Sequence, residues 1–312
     1  MRPIWVFGHR KCGTTLLTNL LDGHNSLINY GSDLRLIYAI YNGFKNYGDS
    51  SEVKKRFFKV FDDDRTDRDF INQEFIKDVV DELDFSNKDF VWQYLGLLNK
   101  KILKDFPNKR LFIKETSSEL YINSIKKCIN PQFIYVTRDP RDNWAAISAG
   151  VKNYYSKLGE ESLDSISSLI NRVNFGFNAY TRSLHFLGNA ANDIMFIKFE
   201  DLTKSNEESM QNISNFLDID FETLLCNPTR NNFDYGGNSH DEISFKGVSS
   251  ENIGKFEERV NRSEIAIIEA LCKDVMLYFN YEPVTSIKEQ VEALEDFYSY
   301  YNQRYFFYDK YK

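Results

Sequence analysis

The chain has 312 residues, of which 42% are hydrophobic and 15% aromatic, and its formal net charge at pH 7 is −7. This apolar content excludes a disordered protein and is sufficient for a buried core. The negative charge argues against a nucleic-acid-binding protein, because binding a phosphate backbone requires a basic face.

The composition also bears on the cellular compartment. The chain opens directly on an apolar run, and no apolar run approaches the about 20 residues that a membrane helix needs. The four cysteines are scattered, with neither a C-x-x-C pair nor the spacing of metal ligands. We therefore expect a cytoplasmic protein with reduced thiols and with no signal peptide, membrane span or bound metal.

The first segment that indicates chemistry is an apolar, strand-like run leading into a turn between Gly8 and Gly13. Thr14 and Thr15 then open an amphipathic helix. Such a turn directs backbone N–H groups and the positive end of the helix dipole at an anion. The glycine spacing is that of a Walker A loop, but Thr14 stands where that motif requires lysine, and the loop carries Lys11 instead. The pattern favours a phosphate site that is not built for a Mg²⁺-bound triphosphate.

Strand-like runs recur along the chain, at Ile4–Phe7, Leu27–Asn29, Leu111–Ile113, Phe133–Val136 and Met195–Phe199. Helical periodicity separates them, which predicts an α/β fold with a P-loop-like central parallel sheet flanked by helices. In such sheets, ligands bind beyond the carboxyl ends of the strands. Lys11, Lys114 and Arg138 each follow a strand-like run, so we expect them to converge on one crevice.

Longer helical segments lie between and after these runs. Residues 34–105 show apolar spacing of three to four and predict a helical cap insertion over an acceptor site. Further helices are expected over 161–186 and 263–279. Residues 284–312 form an aromatic helical tail, expected to dock on its own domain or on a second copy in a homodimer. Without repeats or linkers, the sequence predicts a single domain over 1–312.

Four segments together resemble a known family. Residues 10–15 read Arg-Lys-Cys-Gly-Thr-Thr and resemble the 5′-phosphosulfate loop of sulfotransferases that use PAPS (3′-phosphoadenosine 5′-phosphosulfate). Residues 138–142, Arg-Asp-Pro-Arg-Asp, are similar to the family's 3′-phosphate site. Residues 196–202 resemble its late strand–helix unit, and residues 236–256 its nucleotide-closing loop. The likeness is nearer to the tyrosylprotein-type and bacterial branch than to the cytosolic phenol branch.

The resemblance implies a donor, a product and a set of site residues. PAPS would be the sulfuryl donor and PAP the product, with no metal required. Lys11 would stabilise the leaving phosphate, and Lys114, directly after a strand, would contact the sulfuryl group. The residues assigned to the nucleotide are Arg10, Lys11, Cys12, Gly13, Thr14, Thr15, Arg138, Ser148, Lys246, Gly247 and Ser249.

Transfer to a hydroxyl requires a general base near the attacking oxygen. Residues 31–35, Gly-Ser-Asp-Leu-Arg, resemble the Gly-Glu-Glu-x-Arg segment of the tyrosylprotein branch if one inserted residue is allowed. This resemblance makes Asp33 the first candidate for the base, although a helix-capping role remains open. Glu115 is the second candidate. Two histidines in predicted site loops are further alternatives, His9 and His240.

The sequence departs from the family at the 3′-phosphate site. The family places a serine eight positions after the arginine, and this chain has Ala146 there. Ser148 follows two positions later, which on a helix is more than half a turn away. The residues that could complete the site are Asn143, Ser148, Lys246 and Ser249.

Two other functions compete with sulfuryl transfer. A P-loop nucleotide or small-molecule kinase would need the Walker lysine after Gly13, which is absent. A non-catalytic nucleotide-binding protein would explain Ala146 but not the presence of both Lys11 and Lys114. The expected acceptor is a small-molecule or glycan hydroxyl. The aromatic cap and acidic charge favour a small or neutral compound over a heavily sulfated glycan.

Overall fold

The computed structural model describes residues 1–34, 51–52, 54–55, 57, 71–87, 89–153, 193–237 and 245–306. The strands in these ranges are β1 (Ile4–Phe7), β2 (Leu27–Asp33), β3 (Arg110–Lys114), β4 (Gln132–Thr137), β5 (Ile194–Lys198), β6 (Thr229–Arg230) and β7 (Phe233–Asp234). The α-helices up to β5 are α1 (Thr14–Leu20), α2 (Gln73–Asp81), α3 (Phe90–Asp105), α4 (Ile122–Ile129) and α5 (Pro140–Asn153). Those after β5 are α6 (Phe199–Lys204), α7 (Asn206–Leu217), α8 (Phe256–Arg259), α9 (Arg262–Leu271), α10 (Lys273–Tyr278) and α11 (Ile287–Phe306).

The first five strands form one parallel sheet in the order β2-β3-β1-β4-β5. Strand β1 lies in the centre, with Trp5 paired to Ile113 of β3 and to Phe133 of β4. The chain leaves β1 towards β2 on one side and later crosses from β3 to β4 on the other. This reversal beside β1 is where open α/β sheets bind their ligands. The predicted central parallel sheet flanked by helices is confirmed.

Of the five predicted strands, β1 has the predicted bounds, and β2, β3, β4 and β5 differ from the predicted runs at one or both ends. Strand β2 extends beyond Asn29 to Asp33, so Asp33 ends the strand and does not lie in a loop after it. The extension is anchored by Tyr30, which is fully buried and whose hydroxyl lies 3.1 Å from that of Tyr94. Strand β5 ends at Lys198, because Phe199 already begins α6.

The alternation of β1 sends its side chains to both faces of the sheet. Ile4 and Val6 belong to a core cluster with Leu17 of α1 and Leu217 of α7. The opposite face carries Trp5 and Phe7. The Trp5 indole donates a 2.9 Å hydrogen bond to Ser118, and the Phe7 ring meets Tyr135 edge to face. Apolar side chains on both faces explain why the strand reads as a continuous hydrophobic run.

The described residues fall into two compact units. The first contains residues up to 137 together with 193–237 and 245–249, and so holds the whole five-stranded sheet. The second contains 138–153 and 250–306, with α5 contacting α8 and α9. The single domain over 1–312 stays a prediction.

The predicted helical segments are described in part. Helices α2 and α3 lie within 34–105, and their role as a cap over an acceptor site stays a prediction. The helix expected over 161–186 lies outside the described residues. The tail contains α11, which packs against α9. Among the described residues, no helix combines the length and apolarity needed to cross a membrane.

Candidate active site

The turn after β1 is wound tightly against its neighbours. Gly8 has φ +152°, and a Cβ at this position would lie 2.2 Å from the carbonyl oxygen of Val136 in β4. Gly13 has φ +104°, and its Cβ would lie 2.6 Å from the ring of Phe199. Lys11, between them, has the left-handed φ of 66°. The two glycines therefore allow the turn to pass both neighbouring segments, which other residues would block.

The same turn delivers the start of α1 to the carboxyl end of the sheet. Gly13 is the N-cap residue and has no side chain to accept from the first-turn N–H groups, and that turn contains no acidic residue. Cys12 and Thr14 are buried, whereas Arg10 and Lys11 are half-buried. A helix start of this kind, with basic residues beside it, suits a phosphate or a phosphosulfate.

Lys114 connects this helix start with the candidate base. It is the last residue of β3, and its Nζ lies 3.0 Å from Asp33 Oδ2 and 3.3 Å from Thr15 Oγ1. Its position is set by the sheet, since Asp33 and Lys114 are register partners at the ends of β2 and β3. The side chain of Lys114 is 9% exposed and that of Asp33 is 41% exposed. A buried ammonium group therefore lies between a helix N-terminus and a solvent-accessible carboxylate.

The second oxygen of Asp33 is held by Thr116. Asp33 Oδ1 accepts from Thr116 Oγ1 at 2.8 Å and from its backbone N–H at 3.3 Å. Burial by itself raises the pKa of Asp33, but the charge of Lys114 and the hydrogen bonds from both residues outweigh it and lower the pKa below its usual value. Sequence reasoning missed Thr116. The signal was the uninterrupted polar run from Lys114 to Thr116 at the end of a strand.

The segment after β3 runs along the end of β1 and the start of the turn that follows it. Glu115 donates its backbone N–H to the Val6 carbonyl at 3.0 Å, and Ser117 donates its own to the Gly8 carbonyl at 2.9 Å. The side chain of Glu115 is buried. These bonds fix the candidate residues after β3 against the turn that begins at Gly8.

The later nucleotide candidates of the first unit lie on a surface segment. Lys246 is exposed, and Gly247 has φ 84° with nothing within 4 Å of a Cβ placed on it. Val248 packs against the core cluster of the sheet, and Ser249 is half-buried. The segment is therefore attached to the first unit through Val248, with Lys246 facing solvent.

Arg138 directly follows β4 and belongs to the second unit. Its Nη2 donates a 2.6 Å hydrogen bond to the carbonyl of Asn252. Four positions later, the buried Asp142 accepts from the backbone N–H groups of Gly254 at 2.7 Å and Phe256 at 3.0 Å. Burial raises the pKa of Asp142 above its usual value, although both hydrogen bonds and Arg138 act in the opposite direction.

The second arginine of the same motif takes part in a buried ion cluster. Arg141 donates to Asp139 at 2.6 and 2.9 Å and to Glu269 at 2.6 Å. Glu269 in turn accepts from the backbone N–H groups of Val284 and Thr285. Arg141 therefore ties α5 to α9 and to the segment that precedes α11.

The structure does not supply a serine at the position of Ala146. Ala146 and Ser148 both lie in α5, two positions and about 200° apart around the helix, so their side chains leave different faces. The residue that completes the 3′-phosphate site stays a prediction. His240 lies outside the described residues. Within the described ranges, no group of three or more His, Cys, Asp or Glu residues is arranged to hold a metal ion.

Residues 3–223, more than half of the chain, match the family model described as "Sulfotransferase family". The resemblance found in the sequence motifs is thereby confirmed. No curated protein matches the chain.

Three solved structures share the fold. The sulfotransferase domain from the curacin biosynthetic pathway is 17% identical with a TM-score of 0.59, and the match covers 90% of this chain and 98% of that one. The sulfotransferase domain from the Synechococcus PCC 7002 olefin synthase is 16% identical with a TM-score of 0.57, covering 90% and 94%. The sulfotransferase STF9 from Mycobacterium avium is 14% identical with a TM-score of 0.50, covering 90% and 77%. At these identities the matches bear on the fold alone.

Proposed function

Because the chain belongs to the sulfotransferase family, we propose that it moves a sulfuryl group from PAPS to a hydroxyl acceptor by in-line displacement. The kinase alternative is not favoured, since Thr14 occupies the position of the Walker lysine.

One observation carries the assignment of the reaction to this site. The ammonium group of Lys114 is within hydrogen-bond distance of both Thr15, in the first turn of α1, and Asp33, the candidate base. In an in-line displacement the leaving group and the attacking hydroxyl lie on opposite sides of the transferred group. A cation within hydrogen-bond distance of both sides can stabilise the sulfuryl group during its transfer, because negative charge is then spread over the equatorial oxygens of that group.

The donor set of the first unit fits a phosphosulfate. The turn from Gly8 to Gly13 and the N-terminus of α1 provide backbone N–H groups, with Arg10 and Lys11 beside them. PAPS supplies an activated sulfur–oxygen bond whose leaving group is a phosphate. Lys11 stabilises the charge that develops on that phosphate as the bond to its bridging oxygen breaks. For the 3′-phosphate, Arg138 remains the candidate predicted from the sequence, because a guanidinium binds phosphate with two donors.

On the acceptor side, Asp33 takes the hydroxyl proton as the new sulfur–oxygen bond forms. The carboxylate is ionised at neutral pH, as aspartates ordinarily are, and can accept a proton; the lowered pKa makes it a weaker base than a free aspartate. Thr116 and Lys114 orient the two oxygens through their hydrogen bonds. The products are PAP, a sulfate ester and a proton on Asp33. Glu115 is the second candidate for this role.

We expect the acceptor to be a small-molecule or glycan hydroxyl, with a small neutral compound favoured, and the reaction to need no metal. The protein would act in the cytoplasm.

The test compares PAP with ATP, each with Mg²⁺ and with a chelator, in thermal unfolding of the full chain. A ligand of the native state adds about 2.7 kcal/mol to its stability at a hundredfold excess over Kd. We expect PAP to stabilise the protein equally with and without the chelator. Stabilisation by ATP–Mg²⁺ alone would overturn the proposal in favour of a kinase. Transfer of label from sulfur-labelled PAPS to a panel of phenols and alcohols then identifies the acceptor.

A further inference from the structure

Residues 252–256 of the second unit are held by two side chains of one short motif. Arg138 binds the carbonyl of Asn252, and Asp142 binds the N–H groups of Gly254 and Phe256. Asp142 is almost completely buried, whereas Gly254 has the left-handed φ of 77°. We call residues 252–256 the clamp loop.

The two contacts are mechanically linked through the loop backbone. The Asn252 carbonyl fixes one edge of the Arg138 guanidinium, and two residues further on the same backbone is fixed by Asp142. A shift of the clamp loop would therefore move one hydrogen-bond partner of Arg138. A planar guanidinium binds phosphate through two donors only when its plane is correctly oriented.

We propose that Asp142 is a positioning residue for recognition of the nucleotide 3′-phosphate: it holds the clamp loop, and the clamp loop orients Arg138. The inference rests on the proposed function, because it takes Arg138 as the 3′-phosphate ligand. Asp142 itself touches no substrate. Its role would be to make the enzyme distinguish PAP from a nucleotide that lacks the 3′-phosphate.

The conservative variant Asp142→Asn tests this role. A carboxylate offers acceptor oxygens to both N–H groups, whereas an amide offers one oxygen and turns an N–H donor towards the other. One of the two backbone bonds is lost, and the clamp loop loses its fixed position at that point.

Glu269→Gln is the matched control. Glu269 is also a buried carboxylate of the second unit that accepts from two backbone N–H groups, those of Val284 and Thr285. The carboxylate-to-amide change is the same, but it loosens the segment before α11 and weakens the ion pair with Arg141, while both hydrogen bonds of Asp142 stay in place. Both variants are expected to lower the melting temperature.

The readout is the ratio of the Kd values for 5′-AMP and PAP, measured by titration calorimetry on the full chain. We expect Asp142→Asn to weaken PAP binding roughly tenfold, the effect of about one well-made hydrogen bond, and to leave AMP binding unchanged. Glu269→Gln should leave the ratio as in the wild type. Equal loss for both nucleotides in Asp142→Asn, or no loss for either, would overturn the proposal.

Two further variants keep the test decisive. Gly254→Ala strains the left-handed backbone without a steric clash, since nothing lies within 4 Å of its Cβ, and should shift the ratio in the same direction if Asp142→Asn does not fold. Arg138→Gln should abolish the preference for PAP, and adding Asp142→Asn to it should change nothing more. Additive effects would contradict a role through Arg138. Failure of the wild type to bind PAP at all would instead refute the proposed function.

Discussion

The charged residues of the sequence motifs are used differently in the two units of the molecule. In the first unit, Lys114 and Asp33 form a pair whose carboxylate side is 41% exposed. In the second unit, Arg141 lies between Asp139 and Glu269. The side chains of Arg141, Asp139 and Glu269 are 5%, 9% and 0% exposed, respectively. A buried, fully bonded cluster stabilises one arrangement, because removing one partner leaves a charge uncompensated. A pair open to solvent on one side can exchange partners with a ligand.

A charged motif therefore does not by itself identify a binding site. Residues 138–142 read as one phosphate motif, yet the structure gives Asp139 and Arg141 to an ion cluster and Asp142 to backbone N–H groups. Only Arg138 of this motif remains a candidate ligand. The contrast between the Lys114–Asp33 pair and the buried cluster can be tested by substitution.

The largest effect is expected for Asp33→Asn, which keeps the shape of the side chain and removes its basicity. Turnover should fall by about 10²–10⁴-fold, the usual contribution of a general base, while PAP affinity barely changes. The measurement is kcat with saturating PAPS, beside a PAP titration. Glu115→Gln is the paired variant. An active Asp33→Asn beside an inactive Glu115→Gln would assign the base to Glu115, and activity in both would point to His9 or to an acidic acceptor.

A large loss of stability, without a direct role in chemistry, is expected for Arg141→Ala. It leaves Asp139 and Glu269 buried without their cation, which typically costs about 3–5 kcal/mol of unfolding free energy. Arg262→Ala is the control in the same unit, since its pair with Glu289 is 56% and 39% exposed. Exposed pairs contribute about 0–1 kcal/mol. Similar losses of unfolding free energy in the two variants, measured by denaturant unfolding, would mean that the buried cluster contributes no more stability than the exposed pair.

Lys114→Ala and Lys11→Ala should lower turnover more than they weaken PAP binding, because both cations act on charge that develops in the transition state. Loss of one such donor typically costs about 10²–10³-fold in kcat. Lys100→Ala, at an exposed position of α3, should leave both turnover and PAP binding unchanged. A variant that loses PAP affinity but keeps its turnover would mean that its lysine only anchors the nucleotide.

The smallest effect concerns pH. The ordinary pKa of an aspartate is 3.8, and that of Asp33 is lowered by Lys114 and Thr116 against the opposing effect of burial. The stability from this pair is therefore complete above pH 3.8 and is lost as the pH falls through the lowered value. The acid limb of kcat/KM should likewise lie below 3.8. Lys114→Gln should move the acid limb of kcat/KM to higher pH and raise the pKa of the Asp33 carboxyl group measured by NMR. An unchanged carboxyl pKa would refute the coupling between Lys114 and Asp33.

Local patterns were sufficient to predict much of the fold. Strand β1 has the predicted bounds, and β3 and β4 begin and end one residue beyond the predicted runs. These strands are apolar on both faces, so their burial is visible in the sequence. The end of β2 was missed because the strand reaches Asp33 only after a register shift beyond Asn29, where Asp33 pairs with Lys114 of β3, a residue distant in the chain.

Sequence patterns alone were enough to identify the family, the parallel sheet and the tight turn between Gly8 and Gly13, because glycine spacing, apolar runs and helix starts are local features. The pairing of the charged side chains, in contrast, depends on the tertiary structure. Lys114 meets Asp33 because β2 and β3 are neighbours in the sheet, and Arg141 meets Glu269 because α5 packs on α9. Packing brings together partners that lie so far apart in the chain. Burial then influences the strength of their interaction and the direction of each pKa shift.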